Sequence, residues 1–137
     1  MKIVLDTNVL VSGLLNSYHA PGEIVRMTSS GALLLCYDAR ILGEYREVLS
    51  RPKFKFDTTF VEPFLDYIQS EGLLVAAVPL KQPLPDPSDE MFLEVALAGN
   101  ARCLVTGNLK DFPVSKRQGM AVVSPGEMIT LYREGSK

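Results

Sequence analysis

The sequence predicts an α/β fold built on a parallel, doubly wound sheet. Three observations predict it. Short runs such as Ile3-Val4-Leu5 and Cys103-Leu104-Val105 are continuously apolar, the pattern of strands buried on both faces. Between such runs, apolar residues recur at helical spacing. Strands separated by helices imply parallel pairing through right-handed crossovers. At 137 residues the chain is expected to form one domain, residues 1–137, with enough length for a real core.

Lys2 to Leu5 reads as the first strand. Asp6 follows it, and residues 8 to 15 can form a helix. Ala20-Pro21-Gly22 reads as a break, with a helix from Glu23 to Ser29 ending before Gly31. Ala32 to Tyr37 is a second buried strand. Asp38 can cap the next helix, whose residues Ile41, Leu42, Tyr45, Val48 and Leu49 share one face. Ser50-Arg51-Pro52 stops it. A further helix starts at Thr58 or Thr59, with Phe60, Val61, Phe64, Leu65 and Ile68 as its stripe; Pro63 is expected in its first turn and Gly72 at its end. Leu73 to Val78 is a third strand, and Lys81 to Ser88 a proline-rich loop. Ser88 or Asp89 caps a helix carrying Met91, Phe92, Val95 and Ala96, which Gly99 closes. Arg102 to Thr106 is a fourth strand and Ala121 to Val123 a short fifth. Ser124-Pro125-Gly126-Glu127 starts a last helix, to about Arg133.

Composition narrows the function. Hydrophobic residues make up 47% and charged residues 22%, ordinary for a globular protein. No apolar run reaches the roughly 18 residues of a membrane helix, and Asp6 interrupts any signal-peptide core, so a cytoplasmic protein is expected. Cys36 and Cys103 lie in apolar runs and read as buried thiols. The formal charge of −2 argues against a uniformly basic coat for nucleic acid but not against a local basic patch. His19 is the single histidine and has no cysteine pair to make a zinc site. There is no phosphate-binding Gly-rich loop ending in Lys and Ser/Thr, and no Gly-x-Ser-x-Gly elbow.

The chemistry lies in the acids. In an open α/β sheet, ligands bind outside the carboxyl ends of the strands. Asp6 stands there, either capping a helix or acting as metal ligand and general base. Asn8 can orient it through its amide, and Ser12, one turn on, can point to the same place. Glu44 and Glu47 share a helix; Glu44 is flanked by Leu42 and Tyr45 and belongs at the rim of the core, whereas acids beside Arg40 and Arg46 are ordinarily solvated. In Asp86-Pro87-Ser88-Asp89-Glu90 the acids either serve the helix start, or Asp89 reaches toward Asp6 with Asp86 beside it. Thr106-Gly107-Asn108 with Asp111 is either a turn or the fourth corner of a site in which Thr106 bonds a carboxylate. Gathered carboxylates repel unless a cation holds them. Oxygen ligands suit Mg²⁺ or Mn²⁺, and such an ion neutralises a phosphodiester and acidifies a bound water. Arg51-Pro52-Lys53-Phe54-Lys55, and Lys110 with Lys116 and Arg117, offer cations for the substrate backbone.

Val4-Leu5-Asp6-Thr7-Asn8-Val9-Leu10-Val11-Ser12, the Glu44 helix running into Glu47-Val48-Leu49-Ser50-Arg51-Pro52-Lys53-Phe54, Asp86-Pro87-Ser88-Asp89 with Ala96-Leu97-Ala98, and Val105-Thr106-Gly107-Asn108 with Asp111-Phe112 together resemble the PIN-domain family. The nearest branch is that of toxin components of prokaryotic toxin–antitoxin systems. The resemblance implies a three-layer α/β/α fold with a five-stranded parallel sheet, and a Mg²⁺- or Mn²⁺-dependent ribonuclease acting on single-stranded RNA. It implies a homodimer and a cognate antitoxin. By position, Asp6, Glu44 and Asp89 match the family's principal acids, and Asn8 and Ser12 the polar residues beside the first. Asn108 stands where a fourth acid is usual, and Asp111 can compensate. Two other readings remain: a catalytically weak PIN-like module that binds RNA or protein, and a phosphatase with Asp6 as nucleophile, which would ordinarily want a second acid where Asn8 stands.

Overall fold

The computed structural model describes residues 1–135. Five parallel strands, β1 (Lys2–Leu5), β2 (Leu34–Tyr37), β3 (Leu73–Leu74), β4 (Cys103–Val105) and β5 (Val122–Val123), lie in the order β3-β2-β1-β4-β5. The helices are α1 (Thr7–Leu15), α2 (Ala20–Ser29), α3 (Ala39–Leu49), α4 (Thr58–Glu71), α5 (Glu90–Ala98) and α6 (Pro125–Gly135). This is the five-stranded α/β/α architecture that the sequence predicts. β1 is central because it is apolar on both faces: Ile3, Val4 and Leu5 are fully buried, as are Cys103, Leu104 and Val105 of β4 beside it. Ile3 pairs with Cys103, and Leu5 with Val105.

The strand order reverses at β1. From there the chain builds outward through β2 and β3, then crosses back to place β4 and β5 on the other side. The crevice between the carboxyl ends of β1 and β4 is thus the topological switch point, where such sheets bind ligands. Tyr45 of α3 closes the floor of this crevice. Its fully buried hydroxyl donates to the Leu5 carbonyl at 2.5 Å, fixing α3 to the strand end that carries Asp6.

Four expectations need correction. Ala20-Pro21-Gly22 is not a break but the first turn of α2, because proline lacks only an N–H that a first turn leaves unpaired anyway. Pro63 lies further inside α4, beyond its first turn, with Asp57 capping the helix by accepting from the Thr59 amide at 2.9 Å. β3 stops at Leu74 instead of reaching Val78: it is an edge strand, Leu74 and Val78 are 67% and 71% exposed, and Val75 alone of the extension is buried in the core. Finally, a short 3₁₀ turn (Pro87–Asp89) precedes α5, and Asp86 caps it by accepting from the Ser88 amide and hydroxyl. Asp89 occupies the N-cap position of α5 without a side-chain cap bond.

Candidate active site

Asp6 leaves β1 at the switch point. It is 7% exposed, and it occupies the N-cap position of α1 without capping it. Its carboxylate instead accepts from the Thr106 hydroxyl at 2.8 Å and from the Asn8 amide at 3.4 Å. Thr106, fully buried beyond the end of β4, also accepts from the Asn108 amide N–H at 3.0 Å. Asn8 turns its amide oxygen toward the Gly107 N–H at 3.1 Å. The two strand ends are therefore stitched through Asp6, Asn8 and Thr106. Burial, and then the charge of Glu44, push the Asp6 carboxyl above its usual range, while the Thr106 bond opposes the rise.

Glu44 comes from the middle of α3 and accepts a short hydrogen bond from the Thr7 hydroxyl. Glu47, three positions on, faces solvent and pairs with Arg51 at 2.8 Å. One helical turn thus separates an acid that belongs to the crevice from one that belongs to the surface.

Asp89 arrives from the start of α5. Its carboxyl bonds none of the described residues. Desolvation, followed by the charges of Asp6, Asp111, Asp86 and Glu44, pushes it up to about 7. Asp111 is held by the Asn108 side-chain amide at 2.8 Å. Asp86 is an exposed turn cap that adds charge nearby. Ser12 is exposed on α1 and its hydroxyl bonds none of the described residues.

The Asp89 turn is also braced. Glu90 accepts from the Leu84 amide at 2.9 Å. Glu94, 9% exposed, accepts from the Leu80 amide at 3.3 Å and takes the Arg40 guanidinium at 2.7 Å, while Arg40 also grips Asp38 at 2.7 Å. These contacts tie the proline-rich loop and α3 to α5, so that Asp89 and Glu44 face one crevice. Sequence reading missed Glu94, Arg40 and Thr7 in these supporting roles; each looks like ordinary surface polarity until the helices are packed. Of the expected cations, Lys110 is exposed beside Asp111, and Arg117 donates to the Phe112 carbonyl at 2.7 Å.

Among the described residues, no group of three or more His, Cys, Asp or Glu side chains stands arranged to hold a metal ion. Like charges without a counter-ion are expected to keep this spacing. The donor chemistry nevertheless fits a hard divalent cation: every crevice group is an oxygen donor or a carboxylate-bonded amide, and Asp89 has no hydrogen-bond partner to neutralise it. No helix among the described residues is long and apolar enough to cross a membrane. A family model described as a PIN domain matches residues 2–110, a span that includes every crevice acid except Asp111. No curated protein matches the chain.

Proposed function

The chain belongs to the PIN-domain family, and from that premise we propose that it is a Mg²⁺- or Mn²⁺-dependent endoribonuclease that cuts single-stranded RNA. The family is one of nucleases in general, acting on nucleic acid and generally using divalent ions. The observation that supports the finer reading is an Asp89 carboxyl at the switch point, without a hydrogen-bond partner among the described residues, on which the charges of Asp6, Asp111 and Glu44 act.

In this reading Asp6, Glu44, Asp89 and Asp111 hold the metal, and Asp6, Glu44 and Asp89 carry the catalysis. A divalent cation held there would neutralise phosphodiester charge and lower the pKa of a water. Thr106 and Asn8 hold the Asp6 carboxylate in one orientation, and Thr7 does the same for Glu44. Whichever carboxylate is least engaged accepts the water's proton. Asn108 contributes an uncharged amide that positions Asp111. Ser12 and Asp86 stand further out, where they meet substrate or tune the local charge.

Motif resemblance supports a further part of the proposal: the protein is the toxin of a toxin–antitoxin pair, works as a homodimer and is restrained by a cognate antitoxin. The test is cleavage of a labelled mixed-sequence single-stranded RNA with Mn²⁺, Mg²⁺ or chelator. Metal-dependent cutting lost in Asp6→Asn and Asp89→Asn supports the nuclease. A folded protein that neither cuts nor binds Mn²⁺ overturns it and favours an RNA- or protein-binding module, the reading to which Asn108 lends weight.

A further inference from the structure

A basic, aromatic strap leaves the end of α3. Arg51 begins it, held by Glu47 through two contacts at 2.8 and 3.2 Å, and Arg51 also feels the charge of Glu44. Pro52–Phe54 form a 3₁₀ turn, Lys55 takes the left-handed conformation at φ 54°, and Asp57 then caps α4. Phe56 packs against the core. Phe54 does not; it stacks on Phe56 with centroids 5.3 Å apart and planes 14° from parallel. The Lys53 ammonium stands 5.1 Å from the Phe54 centroid. Lys53 and Lys55 are exposed, and neither pairs with a carboxylate among the described residues.

A half-buried ring outside the core, held parallel to an anchored ring, with one lysine ammonium over it and a second exposed lysine next in the chain, neither paired with a carboxylate among the described residues, has the makeup of a nucleobase platform. Stacking on aromatic rings and phosphate pairing with lysines are the two means by which single strands are held. The ring is already oriented, so little side-chain freedom is lost when a base docks. The contrast with the second stacked pair, Phe60 and Phe64, is informative: their groove is lined by Ser29, Thr59, Pro63 and Tyr67, with no cation to meet a phosphate. Arg51 follows Glu44 by seven positions, roughly 10 Å at helical rise, a distance that a short single strand can bridge.

We propose that Phe54, with Lys53 and Lys55, is the base-stacking subsite for a single strand of RNA whose backbone continues to the carboxylate crevice. The proposal rests on the nuclease reading for its substrate. An arriving base takes the place of the Lys53 ammonium over the ring, which leaves that ammonium for the adjoining phosphate.

The test is binding rather than cutting, which keeps the two readings separable. The full chain is titrated, in chelator, into a labelled oligouridylate of about a dozen nucleotides, and fluorescence anisotropy is read. Phe54→Leu is expected to weaken binding about tenfold, and Phe54→Trp to bind at least as well as the unchanged protein. Lys53→Gln combined with Lys55→Gln is expected to reduce the slope of log affinity against log salt by about 1.4. A duplex of the same length is expected to be indifferent to Phe54→Leu, since its bases are already stacked. Equal binding of the single strand by a Phe54→Leu protein with unchanged melting overturns the proposal. So does a loss in Phe54→Trp as large as in Phe54→Leu, or failure of the unchanged protein to hold the strand. A protein that cuts RNA yet binds it equally well as Phe54→Leu loses this subsite alone; one that binds through Phe54 but never cuts loses the nuclease reading alone.

Discussion

The two sides of the crevice are built differently. On one side Asp6 is buried, bonded by Thr106 and Asn8, and set by the two most protected strands of the sheet. On the other, Asp89 sits at the start of α5 with no side-chain partner and several acids pressing on it. The first carboxylate is oriented by the fold itself. The second is placed by the fold but left electrostatically unfinished. The difference teaches that pre-organisation and unmet charge are divided between two groups, so that a cation would satisfy one side while being aimed by the other.

The sharpest way to break this contrast is at the finished side. Asp6→Asn keeps the size and hydrogen-bonding capacity of the group but removes its charge. Cleavage measured with Mn²⁺ under single-turnover conditions is expected to drop by roughly 10³-fold or more, with melting little changed because a buried charge is lost. Thr106→Val attacks the orientation alone. The buried Asp6 carboxylate then lacks its best donor, so activity is expected to fall by about 10- to 100-fold, with a stability loss on the order of 1–3 kcal/mol in urea titration. Retained activity in Thr106→Val would mean that the bond does not position Asp6.

The unfinished side is sharpened by adding to its burden. Asn108→Asp supplies another charge beside Asp111 and near Asp89. Calorimetry is expected to show about tenfold tighter Mn²⁺ binding, because ligand charge count tunes affinity, together with a lower melting temperature in chelator. Unchanged affinity would place residue 108 outside the cation's reach.

Titration gives a smaller effect of definite sign. In the metal-free fold Asp89 keeps its proton up to about pH 7, whereas its ordinary value is 3.8. Between those values the folded state binds more protons than the unfolded state, so stability falls as pH rises. The contribution is fully present below about pH 4 and lost as pH passes through 7. Melting in chelator is expected to decline by a few degrees from pH 5 to 8, less steeply in Asp89→Asn. An identical slope in both proteins would show that Asp89 is not the group responsible. The smallest effect is expected at Ser12: its exposed hydroxyl has no bond to lose, so Ser12→Ala should shift stability by less than about 0.5 kcal/mol and leave cleavage within about twofold.

The same contrast governs what the sequence disclosed. Asp6 and Thr106 were legible because each directly follows three consecutive apolar residues, Ile3-Val4-Leu5 and Cys103-Leu104-Val105, the pattern of a strand buried on both faces. Asp38 was legible as a cap because a short acid before a helical stripe has one common use, and it does accept from the Ile41 amide. Asp89 was legible as an acid near a helix start, but not as an unbonded one, because Asp86 takes the capping work that either residue could do. Glu44 was set apart from Glu47 in sequence only by its apolar flanks Leu42 and Tyr45; the packing of Tyr45 under Leu5 carries that weak signal into the structure. The edge strand β3 was overread because apolar residues through Val78 look like one buried strand, whereas only Val75 of the run beyond Leu74 is buried in the core. The bracing by Glu94 and Arg40 left no local trace, since those residues stand 54 positions apart.

The stitch between Asp6 and Thr106 joins residues 100 positions apart. They follow the ends of neighbouring strands, yet the whole of β2, β3 and the helices α1 to α5 is synthesised between them. Until β4 inserts beside β1, Asp6 has neither its hydroxyl donor nor its burial, and α5 has no finished sheet against which to present Asp89. Loop closure over such a separation is slow relative to local helix formation. A chain synthesised only as far as α5 therefore carries Asp6, Glu44 and Asp89 without the crevice, and whatever chemistry the crevice performs waits for β4.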